Sequence, residues 1–155
     1  MEAVVCRAVQ SSISTSVLCW LATVSKDGTP NVSPKEAWIY GGNDRIWVAH
    51  IASPNTVANV RDCPKVCLSF VDVLTQKGYK IVGKARILEM GDHDYDEAFG
   101  QLTAIIGQKF TILSVIEILA EVASPIFAPS YTFFSDTTET QMVEQALKTY
   151  GVEKR

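Results

Sequence analysis

Residues 31–66 read NVSPKEAWIYGGNDRIWVAHIASPNTVANVRDCPKV, and this stretch decides the fold. A strand carrying Asn31-Val32-Ser33-Pro34-Lys35 runs on to Tyr40 and turns at Gly41-Gly42-Asn43-Asp44. Gly, Asn and Asp are the residues that tolerate the backbone of a tight turn. A second strand follows in Arg45-Ile46-Trp47-Val48-Ala49-His50. It feeds Ser53-Pro54-Asn55-Thr56, which reads as a helix start, with Ser53 at the N-cap and Pro54 at the first helical position. The first N–H groups of a helix have no intrahelical partner, and the helix dipole adds partial positive charge there. A phosphate can sit on such an end, although a Ser-Pro cap is also an ordinary way to start a helix.

Outward from this stretch, turn residues punctuate the chain. Residues 17–24 form an apolar, β-branched run, and Lys26-Asp27-Gly28 signals a hairpin into the strand over 30–40. The helix opened by Ser53 runs through Val57, Val60 and Arg61 and ends before Pro64. Strands are predicted over 66–71 and 79–88; in the second, Tyr79, Ile81, Gly83, Ala85 and Ile87 alternate with a mostly polar set. A helix over 94–106 has an acidic start, a strand covers 111–122, and another covers 129–134. Thr137 or Thr138 caps a last helix over 139–150, ended by Gly151. A short amphipathic helix is expected over residues 2–11. Six or seven strands joined by short turns make antiparallel neighbours, and a long antiparallel sheet tends to close on itself. The expected architecture is therefore mainly β with flanking helices: an antiparallel barrel of six to seven strands in one domain spanning residues 1–155.

Composition narrows the function. The net charge is −3 with a pI near 5.4, and no basic patch is visible, which argues against nucleic acid. No apolar run is long enough for a membrane helix, and the first residues do not read as a signal peptide, so a cytoplasmic protein is expected. Cys6, Cys19, Cys63 and Cys67 contain no Cys-x-x-Cys pair, and His50 and His93 are far apart, so neither disulfides nor a metal site is expected. Asp92, Asp94, Asp96 and Glu97 read as a charged helix start. No nucleophile–base constellation stands out, so no catalytic side chain is assigned.

The chain resembles the FMN-binding split barrels related to pyridoxamine 5′-phosphate oxidase. The likeness lies in Ser16-Val17-Leu18-Cys19-Trp20-Leu21-Ala22-Thr23, Asp27-Gly28-Thr29-Pro30 and Asn31-Val32-Ser33-Pro34. It continues through Ile46-Trp47-Val48, Ser53 to Asp62, Cys63-Pro64-Lys65-Val66 and Ile81-Val82-Gly83-Lys84-Ala85, so it covers roughly residues 16–90. The tail after Thr111 looks like that of small members of the group.

This resemblance implies a split barrel that pairs as a homodimer with flavin at the interface. Ser33, Pro34 and Lys35 would line the ring, Ala49, His50 and Ser53 the ribityl chain and phosphate, and Asn55 and Thr56 the phosphate end. Trp38 is the stacking candidate among the three tryptophans, and Tyr79 and Lys80 begin a strand that passes near the flavin in the family. Each has a plainer reading: Lys35 as a solvated strand lysine, His50 as a structural histidine, the tryptophans as packing. The implied function is an FMN-dependent oxidoreductase passing electrons from reduced nicotinamide or another donor to a small acceptor. A non-catalytic flavin carrier, or a barrel holding a deazaflavin or haem, is the alternative.

Two departures matter. The family's phosphate-binding lysine is replaced by Asn55, a loss of about 1.5–3 kcal/mol if one charge-assisted contact goes. The C-terminal residues 141–155 lack Trp and hold Arg only at Arg155, so pyridoxamine 5′-phosphate oxidase activity itself is not expected. Asn55→Lys should therefore tighten FMN binding by on the order of 1 kcal/mol at low salt, through a new contact to the dianion. Fluorescence titration checks this, with riboflavin as the ligand whose affinity should not change.

Overall fold

The computed structural model describes residues 3–153. In chain order the elements are α1 (Arg7–Thr15), β1 (Cys19–Val24), β2 (Pro30–Lys35), β3 (Trp38–Gly42), β4 (Arg45–His50), α2 (Pro54–Asp62), β5 (Lys65–Asp72), β6 (Lys77–Leu88), α3 (Tyr95–Ile106), β7 (Ser114–Phe127), α4 (Pro129–Phe133) and α5 (Glu139–Tyr150). The seven strands form one sheet in the order β2-β1-β5-β6-β7-β4-β3, and every neighbouring pair is antiparallel. The β5-β6-β7 meander is thus flanked by the β1-β2 and β4-β3 hairpins.

The expected strand over 30–40 is two strands. It breaks at Glu36–Ala37 because β2 pairs with β1 while β3 pairs with β4, at opposite edges of the sheet. The Ala49 N–H already donates to the Ala37 carbonyl at 2.8 Å, so the chain changes partner within two residues. The sheet is therefore not closed by hydrogen bonds: its two edges are joined covalently through this short link. Two prolines in β2, Pro30 and Pro34, fit an edge strand, where a missing N–H leaves no partner unsatisfied.

Alternation along the strands sorts the side chains into two cores. Leu21, Ile46, Val48, Leu68, Phe70 and Ile81 belong to the first, closed by Val9 and Ile13 of α1 and by Val57 and Val60 of α2. Trp47 and Ala49, on the opposite face of β4, pack with Leu88, Val115 and the α3 residues Ala98 and Leu102. β4 is thus buried on both faces, which explains its nearly unbroken apolar run. At Gly83, beside a register shift between β6 and β7, an added Cβ would lie 2.2 Å from the Leu119 carbonyl oxygen, so only glycine fits.

Other expectations shift. α1 covers residues 7–15 rather than 2–11, and Glu2 lies outside the described residues. Residues 129–134 hold the short helix α4 instead of a strand: Pro129 occupies its first turn, and the Tyr131 hydroxyl donates to the Thr75 carbonyl at 2.8 Å. The strand before it reaches Phe127 and occupies the sheet position. α2 stops at Asp62, two residues before Pro64, and of the two expected threonines Thr138 caps α5, in a reciprocal cap with Gln141.

Under α3, Glu117 is 5% exposed and accepts the Trp47 indole N–H at 3.0 Å and the Arg86 Nε–H at 2.7 Å. Arg45 and Arg86 both reach Asp94, at 3.1 and 3.2 Å, so the helix start is tied to the sheet through these charges. Glu117→Ala leaves a buried indole N–H without an acceptor. It should lower stability by roughly 2 kcal/mol, discounted because the Arg86 side chain, 59% exposed, can still be hydrated. Urea unfolding followed by circular dichroism checks the value.

Candidate functional site

The inward-facing side chains of β2 are Asn31, Ser33 and Lys35, two residues apart and all turned toward α2. Thr56, 1% exposed, meets the Ser33 hydroxyl at 3.0 Å and the Asn31 amide at 3.4 Å. The Asn31 and Asn59 amides both donate to the Thr23 hydroxyl, at 3.1 and 3.0 Å. These contacts fix the start of α2 against the edge strand. Pro64 then ends the helix, and the Ala85 N–H donates to its carbonyl at 2.8 Å.

Lys35 is the exceptional group. It is 8% exposed, and its ammonium donates to the Ser53 hydroxyl, a neutral partner. No carboxylate lies within ion-pair reach of it among the described residues. Burial pulls its pKa below the ordinary lysine value, with the neighbouring Cys19 opposing weakly. Ser53 is the N-cap of α2, yet its side chain caps no N–H of the helix. The positive end of α2 and a buried ammonium thus meet at one point.

His50 stands behind this point. Its Nδ1 lies 3.1 Å from the Ser114 hydroxyl, and its Nε2 is buried without a partner among the described residues. Burial first, then the positive charges of Lys35 and Arg61, hold its pKa below the usual histidine value. Cys19, across from Lys35 on β1, is a buried thiol whose pKa is pushed well up by desolvation.

A cavity of about 340 Å³ opens between the end of β2, the end of β4 and the turn after α3. Ser33, Pro34, Lys35, Ala49 and Ser53, all expected from the sequence, line it. Thr56 does not line it but meets the lining residue Ser33, and Asn55 is exposed at the start of α2. Trp38 is placed elsewhere: it packs against Phe70 with ring centroids 5.0 Å apart, inside the first core. Tyr79 and Lys80 also lie apart, on β6 opposite Phe70 and Ser69 of β5. The apolar wall comes instead from Ile106 and Phe110, which the sequence reading missed. Gly107 has a φ of +64° and turns the chain from α3 toward Phe110. A glycine followed by an aromatic residue in a loop was the available signal.

The model of the family described as Pyridoxamine 5′-phosphate oxidase matches residues 7–140. The chain belongs to the pyridoxamine 5′-phosphate oxidase family. No curated protein matches it in sequence. Among solved structures, HupZ of Group A Streptococcus is 24% identical, with a TM-score of 0.66 over 76% of this chain and 90% of its own. An FMN-binding protein from Syntrophomonas wolfei is 16% identical, with a TM-score of 0.66 over 76% of this chain and 82% of its own. HutZ, the haem storage protein from Vibrio cholerae, is 15% identical, with a TM-score of 0.63 over 76% and 90%. An F420 reductase shares the fold as well, with a TM-score of 0.59. The fold is thus shared with proteins described as FMN-binding, as an F420 reductase and as a haem storage protein.

The donors at this cavity fit the FMN phosphate implied by the family. A buried cation, a hydroxyl and an uncapped helix start, with no carboxylate paired to the cation, suit a phosphate dianion. Among the described residues no group of His, Cys, Asp and Glu could hold a metal ion. Lys35→Met should raise stability without ligand by on the order of 1 kcal/mol, because it removes an uncompensated buried charge. The folded-state pKa lies below the unfolded one, so the penalty is full at neutral pH and fades as pH rises toward the ordinary lysine value. Urea unfolding of both proteins at neutral and alkaline pH checks magnitude and sign.

Proposed function

We propose that this chain binds FMN at the cavity between β2, β4 and the turn after α3. On this reading it works as an oxidoreductase, passing electrons from reduced nicotinamide or another donor to a small acceptor. The observation that carries the reading is Lys35: a buried ammonium beside the start of α2, with a neutral partner and no carboxylate within ion-pair reach, is complementary to a phosphate. When bound, the flavin supplies the two-electron chemistry; the protein supplies binding, orientation and electrostatics. Lys35, Ser53 and the first N–H groups of α2 hold the phosphate. Ser33 and Pro34 offer the edge-strand backbone to the ring, and Ile106 and Phe110 keep water from one side of it.

Asn55, where the family carries lysine, leaves the phosphate one charge-assisted contact short. Lys35 and the helix start carry more of the binding here in consequence. Two features favour flavin over haem. His50 does not line this cavity, so it presents no imidazole to a haem placed there. His93 is exposed and sits beside Asp94, far from this cavity in the chain. A deazaflavin and a non-catalytic electron carrier are the remaining alternatives.

The reading includes a homodimer in the cytoplasm. Trp20 and Val32, 47% and 56% exposed, share the outer face of β1 and β2, and an apolar face of this kind suits a second copy. No described helix is long and apolar enough to cross a membrane.

Titration by flavin fluorescence quenching tests the proposal. FMN should bind at least about tenfold more tightly than riboflavin, or roughly 1.4 kcal/mol. That advantage should shrink as pH rises through the depressed pKa of Lys35, because the neutral amine no longer attracts the dianion. Equal affinity for both flavins at neutral pH would contradict the assignment. Turnover with reduced nicotinamide then separates an enzyme from a carrier.

A further inference from the structure

A second cavity, of about 510 Å³, lies between α1 and β3. Its apolar walls are Ile13 of α1, Trp38, Ile39 and Tyr40 of β3, and Ile105 of α3. It adjoins the first cavity at two places. Glu36 lines both, and Ile105 and Ile106, consecutive on α3, line one each. The link between β2 and β3 is therefore the partition between them. Lys35 lines only the first cavity.

The charges on the two sides differ. No Lys, Arg or His lines the second cavity, and Glu36 is its one ionisable acid. Glu36 pairs with no basic group among the described residues. Its remaining polar groups are neutral: Gln10, Ser14, Tyr40 and Ser16, whose buried hydroxyl has no partner. The Trp38 indole N–H already donates to the Val17 carbonyl at 3.3 Å, which fixes the ring in the wall. Such a cavity offers phosphates and carboxylates no cation, whereas Lys35 offsets Glu36 in the first, and its aromatic and branched walls suit a flat apolar ring.

We infer that this cavity binds a planar aromatic molecule that is uncharged or cationic, with Glu36 selecting against anions. On the FMN reading above, on which this role rests, it is the acceptor subsite beside the cofactor. A nicotinamide nucleotide, with its phosphates, does not belong in it.

The test follows the Trp38 indole N–H by ¹H–¹⁵N NMR, assigned with Trp38→Phe, in protein without FMN. The probes are N-methylquinolinium, 4-methylquinoline in mildly alkaline buffer, and 1-naphthoate. The first two should shift the Trp38 signal saturably, and the anion should bind much more weakly. Glu36→Gln should weaken N-methylquinolinium binding by about three- to fivefold, the scale of one exposed charge pair, and leave 4-methylquinoline unchanged. An unmoved Trp38 signal, or binding of 1-naphthoate as tight as that of the cation, would overturn the inference. FMN binding is measured separately on the same protein. Its failure would count against the cofactor reading and the acceptor role, while the cavity's ligand class would stand or fall on the Trp38 signal.

Discussion

The ammonium of Lys35, taken out of water beside the positive end of α2, is the constraint on which the rest of the site depends. Desolvating such a group is costly, and a serine hydroxyl offsets only part of that cost. The fold tolerates it because the surrounding polar groups are held firmly. Ser33 and Asn31 meet Thr56, while Asn31 and Asn59 share Thr23, so β1, β2 and α2 are tied by side-chain hydrogen bonds. The helix start cannot turn away from the charge, and the charge cannot reach open solvent easily. A site strained toward an anion in this way loses stability for the sake of binding, a common exchange at functional sites.

The open edge of the sheet does the rest. The strand order places β2 and β3 at opposite ends, although they are consecutive in the chain. Two residues, Glu36 and Ala37, span that change of partner. The side chains on either side therefore reach two adjoining cavities of different character. Glu36 lines both, but only the first also holds the buried cation Lys35 and suits a phosphate; the second holds no cation and suits a neutral or cationic ring. A barrel fully closed by hydrogen bonds would leave no such partition.

Much of this was legible in the sequence where the signal is local. Asp27-Gly28 makes its hairpin, with Gly28 at a φ of +87°. Ser53-Pro54 starts α2, Pro64 follows its end, and Thr138 caps α5. Five cavity residues followed from the family resemblance. What failed was non-local. Nothing in Glu36-Ala37 breaks a strand; the break comes from pairing with different neighbours, so Trp38, expected on the same strand as Lys35, packs on Phe70 and does not line the Lys35 cavity. Phe110 came to the cavity through a loop that no periodicity describes. Glu117 sits in an apolar strand, and its partners Trp47 and Arg86 are distant in sequence, so the buried cluster under α3 left no local trace.

The central claim is that Lys35 is a buried cation awaiting an anion. Its side-chain pKa can be read directly by NMR of ¹³C,¹⁵N-labelled lysine, assigned with Lys35→Met. The account predicts a value below the ordinary lysine range in the protein alone, a rise when FMN is added, and no rise with riboflavin. An ordinary pKa without ligand, or a value that FMN leaves unmoved while bound, would contradict it.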